Sequence, residues 1–321
     1  MEKFFKNISL ASALVVFVLL VGIFVSLYNN SKPAIDEYGF NFITDSSWGV
    51  EMPVQDDAQK ATTQLSEKEN NEFIADDEVP DFVKKHDTQE ESLTKIVYGG
   101  LVPIVGTIFS TLIAMVFAMP IAMGIAIYLA EIAPKNIVAP VGIAIELLAA
   151  IPSIIFGMWG MFYFAPIVQN IFGGYQVSLL TAGLVLGIMI LPFMAAITRD
   201  SMKTTPDVLK ESAYAMGATK FEVIKDVIFP YSKAGIIGSI ILALGRALGE
   251  TMAVAFLIGS VFELPKNITD PTISITVAMA NNFGEASGLT LNALFYLSLI
   301  LFVISFGIIS LAKFYFLRKV H

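Results

Sequence analysis

Cysteine is absent from the 321 residues, which excludes a disulfide framework, a thiolate nucleophile and any metal site built on sulfur. Histidine is nearly absent: His86 and His321 are the only two, and neither sits in a cluster that could act as a catalytic base or hold a metal. Charge is scarce at 15% of residues, and it is unevenly spread. Of the 28 acidic residues, 16 fall between positions 36 and 91, so the formal net charge of −8 reflects one segment. No G-x4-G-K-[ST] phosphate loop occurs, so a nucleotide site of that kind must lie on another polypeptide if ATP is used at all. No cofactor, metal or covalent chemistry is expected in this chain.

What is abundant is apolar surface. Hydrophobic residues make up 55% of the chain and the mean hydropathy is +0.72, values of an integral membrane protein. Runs long enough for a spanning helix, about 20 residues, lie at 8–28, 106–130, 137–165, 177–198, 234–262 and 289–316. The expected fold is therefore an all-α membrane protein with six transmembrane helices. The first run follows Lys3 and Lys6 as a signal peptide would. Its apolar core is long, however, and no clear A-x-A site follows, so it reads as an uncleaved signal anchor.

Lys and Arg near the span ends set the orientation. With the N-terminus inside, the inner segments hold Lys3, Lys6, Lys135, Arg199, Lys203, Lys210, Lys220, Lys225, Lys233, Lys313, Arg318 and Lys319, and the short outer loops hold only Lys266. Both termini are expected in the cytoplasm of a multi-pass plasma (inner) membrane protein. The chain then divides into the first helix (1–28), an external acidic loop (29–95) and a core of five further spans (96–321) with a cytoplasmic loop at 199–233. Residues 51–95 carry no sustained apolar period and are expected to be partly disordered. "IVYGGLVPIV", residues 96–105, is broken by Gly99, Gly100 and Pro103 and reads as a short interfacial segment.

The inner loop is patterned. In "TPDVLKESAYAMGATKFEVIKDVIFP", Thr205 is placed to cap a helix with Pro206 at its first position and an apolar stripe through Val208, Leu209, Ala213 and Met216. That helix should end at Gly217. Thr219 and Glu222 then have the spacing of a capping box that opens a second helix running towards Pro230. On pattern alone the loop could be a plain connector on the membrane surface or a docking element.

In the fifth run, "ILALGRALGETMAVAFLIGSVF" places Arg246 and Glu250 in apolar sequence. Each charge at the centre of a spanning helix carries a penalty of roughly 2.5 to 3.5 kcal/mol. On a continuous helix the two lie about 40° apart in rotation and about 6 Å along the axis, so they could pair beside the small residues Gly245, Gly249 and Ala253. They would serve either as a structural ion pair or as an anion pathway, in which arginine offers a planar fork of donors to an oxyanion. Glu131 falls at the inner end of a span. Glu146 falls more than two turns into the third run, where helix pairing is favoured over substrate contact.

Two of these stretches resemble a known family. Glu211, Ser212, Ala213 and Gly217, followed by Val227, Phe229 and Pro230, have the spacing of the E-A-A-x3-G-x9-I-x-L-P motif of ABC importer permeases; Ser212, Val227 and Phe229 depart in identity. "GRALGETMA" resembles the signature of phosphate ABC importer permeases, and "ELLAAIPSIIFGMWGMFYFAP" and "GFNFITDSSWG" resemble the PstC type rather than the PstA type. Residues 51–95 look inserted relative to that pattern, as a spacer or as a contact for an external binding protein.

The resemblance implies a phosphate permease with Arg246 and Glu250 on the substrate pathway and Glu211, Ala213, Gly217 and Pro230 in an ATPase-coupling loop. It also implies partners: a second permease of the PstA type, two cytoplasmic ATPase subunits and an external phosphate-binding protein. ATP hydrolysis would belong to the ATPase subunits. Membrane lipid surrounds the chain, and no nucleic acid is expected. The alternatives are a permease for sulfate, molybdate or another oxyanion, an ion-coupled secondary transporter, and a membrane scaffold.

Overall fold

A computed structural model of the chain describes residues 2–53 and 94–317. His86, His321 and most of the acidic loop lie outside the described residues. Among those described, six helical stretches are long and apolar enough to cross a membrane: Phe4–Tyr38, Leu101–Ile132, Ser153–Phe172, Leu179–Lys203, Lys220–Leu248 and Gly288–Phe314.

The first helix, α1 (Glu2–Tyr38), runs well past the sequence-based end at residue 28 and carries Pro33 within it. A short turn, α2 (Asn41–Thr44), leads into β1 (Trp48–Pro53), which pairs antiparallel with β2 (Thr94–Tyr98). The two ends of the acidic insertion are thus held side by side in a hairpin. Three rings hold the hairpin on the bundle. Trp48 stacks on Phe262 at 4.8 Å and meets Tyr98 edge-on at 5.1 Å. The Tyr38 hydroxyl donates to the Ile96 carbonyl at 3.0 Å.

From Leu101 the chain enters α3 (Leu101–Ile127), which ends in a π-helical turn at Tyr128–Ile132. The expected interfacial segment at 96–105 is therefore replaced by strand and first helical turn. Pro103 does not interrupt α3, because the first-turn N–H groups have no intrahelical acceptor to lose.

The third span also differs from expectation. Residues Lys135–Ala149 form a separate helix, α4, and the spanning stretch begins only at α5 (Ser153–Trp159), continuing through a π turn (Gly160–Phe164) into α6 (Ala165–Phe172). Pro152 accounts for the break: it has no N–H to donate and disfavours helical backbone at Ile151. Glu146 consequently lies on α4 and outside the third span, with its carboxylate largely exposed.

Helix α7 (Leu179–Lys203) is the centre of the bundle. Buried residues make up 67% of its most apolar window, against 0% for α1, which leaves the α1 surface for lipid or a partner. Gly183 and Gly187 put two missing side chains on one face of α7, where α3 packs closely: a β-carbon would meet Ile113 at 2.7 Å and Phe117 at 2.9 Å.

After α7 come α8 (Asp207–Ala215) and α9 (Lys220–Glu222). A π turn (Val223–Ile228) then continues into α10 (Phe229–Leu248). The chain returns through the short α11 (Met252–Ala255), an irregular stretch, α12 (Ile275–Asn282) and α13 (Gly288–Leu317). Helix α13 lies antiparallel to α1: Phe24 meets Phe302, and Tyr296 donates to Gly39 O. The beginning of α1 and the end of α13 therefore share one end of the bundle with α8, and the β-hairpin occupies the other.

Candidate functional site

The loop between α7 and α10 folds as helix, glycine turn, helix. Gly217 has φ +88°, and the N–H groups of Gly217 and Ala218 return to Tyr214 O (2.9 Å) and Ala213 O (3.1 Å). The capping box is present in both directions: Glu222 N–H donates to Thr219 Oγ1 at 3.4 Å, and Thr219 N–H donates to the Glu222 carboxylate at 2.7 Å. Two details depart from expectation. Pro206, not Thr205, precedes the first helical residue, and the buried Thr205 hydroxyl has no hydrogen-bond partner among the described residues. Pro230 does not end the second helix. It sits in the first turn of α10, and the π turn before it keeps the helix unbroken from Lys220 to Leu248.

Of the apolar stripe read on α8, only Ala213 is buried, in a cluster with Ala126, Met202, Val223, Ile224, Ile228 and Ile236. Val208, Leu209 and Met216 point out of the chain, and Tyr214 and Phe221 are exposed beside them. Several large apolar side chains left exposed on one polar loop point to a partner site. Glu211 is exposed there and makes no ion pair among the described residues.

Arg246 and Glu250 do not share a helix. Helix α10 ends at Leu248, so Arg246 occupies its last turn and Glu250 lies beyond the end. The expected pair is absent: among the described residues no carboxylate is bridged to Arg246. Glu250 serves the chain break instead. Its carboxylate accepts from Ala253 N–H at 3.2 Å, and its backbone carbonyl accepts from the Thr276 hydroxyl at 2.8 Å. These bonds satisfy backbone that the ended helix leaves open, as non-helical backbone among spanning helices requires.

The Arg246 guanidinium lies 5.8 Å from the centre of the Phe193 ring and is otherwise exposed in the single chain. A cation in the last turn is also favoured by the helix dipole. The small residues do not form one stripe: a β-carbon on Gly245 would meet Ile309 of α13 at 3.3 Å, whereas Ala253 lies on α11 against Gly157 of α5.

The structure brings together residues that the sequence reading kept apart. Glu131 accepts from Lys210 of α8 at 2.8 Å. Arg199, which served only as an orientation marker, is buried and bridges Glu146 of α4 (3.2 Å) and Asp200 (2.9 Å). Phe193 carried no signal of its own, since Phe is common throughout the chain. Gly183 and Gly187 did carry one, the four-residue spacing of small residues. Among the described residues no three Asp, Glu, His or Cys side chains gather as metal ligands would.

Residues 99–318 match the model of the binding-protein-dependent transport system inner membrane components. The chain belongs to that family. It is 40% identical to the phosphate transport system permease protein PstC of Pasteurella multocida over 99% of this chain and 92% of that protein. The PstC of Haemophilus influenzae is likewise 40% identical, over 97% of this chain and 92% of its own length. A probable PstC of Methanocaldococcus jannaschii is 32% identical over 98% of this chain and 93% of its own length. Among solved structures, an inward-facing conformation of the MetNI methionine ABC transporter superposes with a TM-score of 0.50 at 20% identity, covering 68% of this chain and 92% of the other. That likeness concerns the fold. The chain is thus a multi-pass permease subunit, and in such systems the ATPase is a separate subunit.

Proposed function

We propose that this chain is the phosphate-translocating permease subunit of an ATP-driven importer in the plasma (inner) membrane. The observation that carries phosphate, as opposed to another oxyanion, is the 40% identity to PstC permeases across nearly the whole chain. Its working partners are a second permease of the PstA type, two cytoplasmic ATPase subunits and an external phosphate-binding protein. The α8 end faces the cytoplasm with both termini, and the hairpin faces outside with the acidic insertion.

The pathway centres on Arg246. Its planar donor fork matches two oxygens of a tetrahedral oxyanion, and among the described residues no bridged carboxylate competes for it. Glu250 acts by holding the chain break that follows the last turn of α10, the turn that carries the guanidinium. Broken helices at substrate sites follow the same logic in other transporters.

Glu211, Ala213, Gly217 and Pro230 belong to the ATPase-coupling element, with the exposed Val208, Met216 and Phe221 as its apolar contact. Coupling is direct in one respect. The helix that carries the capping box also carries Arg246, about 40 Å further along the same rod. A displacement at Lys220 therefore reaches Arg246 with no intervening hinge except the π turn.

The test is reconstitution of the chain with its three kinds of partner in proteoliposomes. Uptake of radiolabelled phosphate should require ATP and should survive excess sulfate or molybdate. Equal competition by sulfate would move the reading to another oxyanion, and uptake without ATPase subunits would overturn it.

A further inference from the structure

We infer that the Lys210–Glu131 pair is a positioning link that carries movement of α8 into α3, and through α3 to the segment around Glu250. The inference rests on the reading of α8 as the ATPase-docking element. Besides packing on the π turn that precedes α10, helix α8 turns two residues on one face, three apart, towards the end of α3. Ala213 enters the apolar cluster that includes Ala126 of α3, and Lys210 Nζ donates to Glu131 Oε1 at 2.8 Å in the π turn that ends α3. The ion pair reaches the π turn that ends α3, and the apolar cluster joined by Ala213 includes that helix's last turn.

The ion pair is sheltered, with side-chain exposures of 16% for Lys210 and 12% for Glu131, so salt screens it less than a surface pair. Among the described residues Asp207 is the other carboxylate near Lys210, at 3.8 Å, but its side chain is 87% exposed and competes weakly.

At its far end α3 is tied to the substrate segment. Ile275 N–H, at the start of α12, donates to Thr107 Oγ1 of α3 at 2.9 Å, and the adjacent Thr276 hydroxyl donates to Glu250 O at 2.8 Å. Glu131 and Thr107 therefore lie towards the two ends of one helical stretch that also carries Pro120, about 36 Å apart along it. The α8 motion reaches the pathway by two routes, α10 to Arg246 and α3 to Glu250. Moving both together keeps the Glu250 segment in step with Arg246, whereas moving α10 alone would shift Arg246 against a fixed Glu250 segment.

The experiment uses the complete reconstituted importer and reads phosphate moved per ATP hydrolysed, beside ATPase retention on the membrane and basal hydrolysis. Lys210→Met and Glu131→Gln should keep the ATPase bound and basal hydrolysis normal while phosphate per ATP falls about fivefold or more, the lower range of ordinary coupling. Lys210→Arg should stay near the unaltered protein. The swap Glu131→Lys with Lys210→Glu should regain most of the loss.

Unchanged phosphate per ATP in both single variants overturns the inference, as does a swap that inserts and binds ATPase yet couples no better than either single. A loss that merely tracks release of the ATPase also overturns it, making the pair a docking strut. Where a single variant fails to insert, Lys210→Arg and the swap carry the test, since both keep opposite charges. Failure of the docking reading looks different: Val208→Asp and Met216→Asp would then leave ATPase retention unchanged.

Discussion

Replacing Gly217 isolates the backbone contribution of the coupling loop. The residue has φ +88°, and a β-carbon built there meets nothing within 4 Å, so a side chain at 217 meets conformational strain and no collision. Left-handed backbone disfavours an L-residue by about 1–2 kcal/mol, more for a β-branched side chain and less for Asn. If the docking-competent loop requires the turn that returns Gly217 and Ala218 N–H to Tyr214 and Ala213, that strain lowers the competent fraction about 5- to 30-fold.

The assay is a titration of purified ATPase subunits onto the detergent-solubilised permease, followed by uptake in proteoliposomes. Affinity and uptake should decline in the order Gly, Asn, Ala, Val, while the thermal unfolding of the spans stays unchanged. A Gly217→Val variant with unaltered affinity and uptake would refute the argument, and the loop would then be a connector. An Asn variant weaker than Ala would refute the left-handed assignment specifically.

Arg246→Lys keeps the charge and loses the fork, and uptake should fall about 5- to 30-fold, the equivalent of about 1–2 kcal/mol, in protein that still inserts and assembles. Because no ion pair joins Arg246 to Glu250, the double Arg246→Gln, Glu250→Gln variant should not recover the loss of Arg246→Gln; a transport-competent, phosphate-selective double variant would falsify the ligand role. The cysteine-free chain suits labelling: Phe40→Cys at the hairpin end should react with an impermeant thiol reagent applied outside, and Met216→Cys should not, the reverse pattern inverting the orientation. Gly183→Val should push α3 from α7 at Ile113 and lower stability by about 1–3 kcal/mol, read as a lower melting temperature in detergent; an unchanged melt would mean that the contact is loose.

The number of spans, the glycine turn at Gly217 and the Thr219–Glu222 capping box were legible in the sequence, because each depends on local physics: apolar length, a residue free to take positive φ, and a side chain that reaches its own backbone three residues away. Helix ends were less legible. Apolar composition continues through Ala150–Pro152 and on both sides of Gly249–Glu250, so hydropathy merges α4 with α5 and runs α10 on into α11, although hydrogen bonding divides both. The division at Pro152 had a local sign in the proline itself. The one after Leu248 had none strong enough, since a single glycine disfavours a helix by only about 1 kcal/mol.

What the sequence alone determined is the class of the molecule: a membrane bundle without thiol chemistry or a nucleotide loop, with a patterned loop and an arginine retained in apolar surroundings. What only the tertiary structure decided is which charges meet. Arg246 and Glu250, four residues apart, are separated by the end of a helix. Lys210 and Glu131, 79 residues apart, close to 2.8 Å because α8 folds back across the end of α3. Spacing along the chain predicts contact only while the helix persists, and where it ends depends on partners such as Thr276 for the opened backbone, which the packing of distant segments supplies.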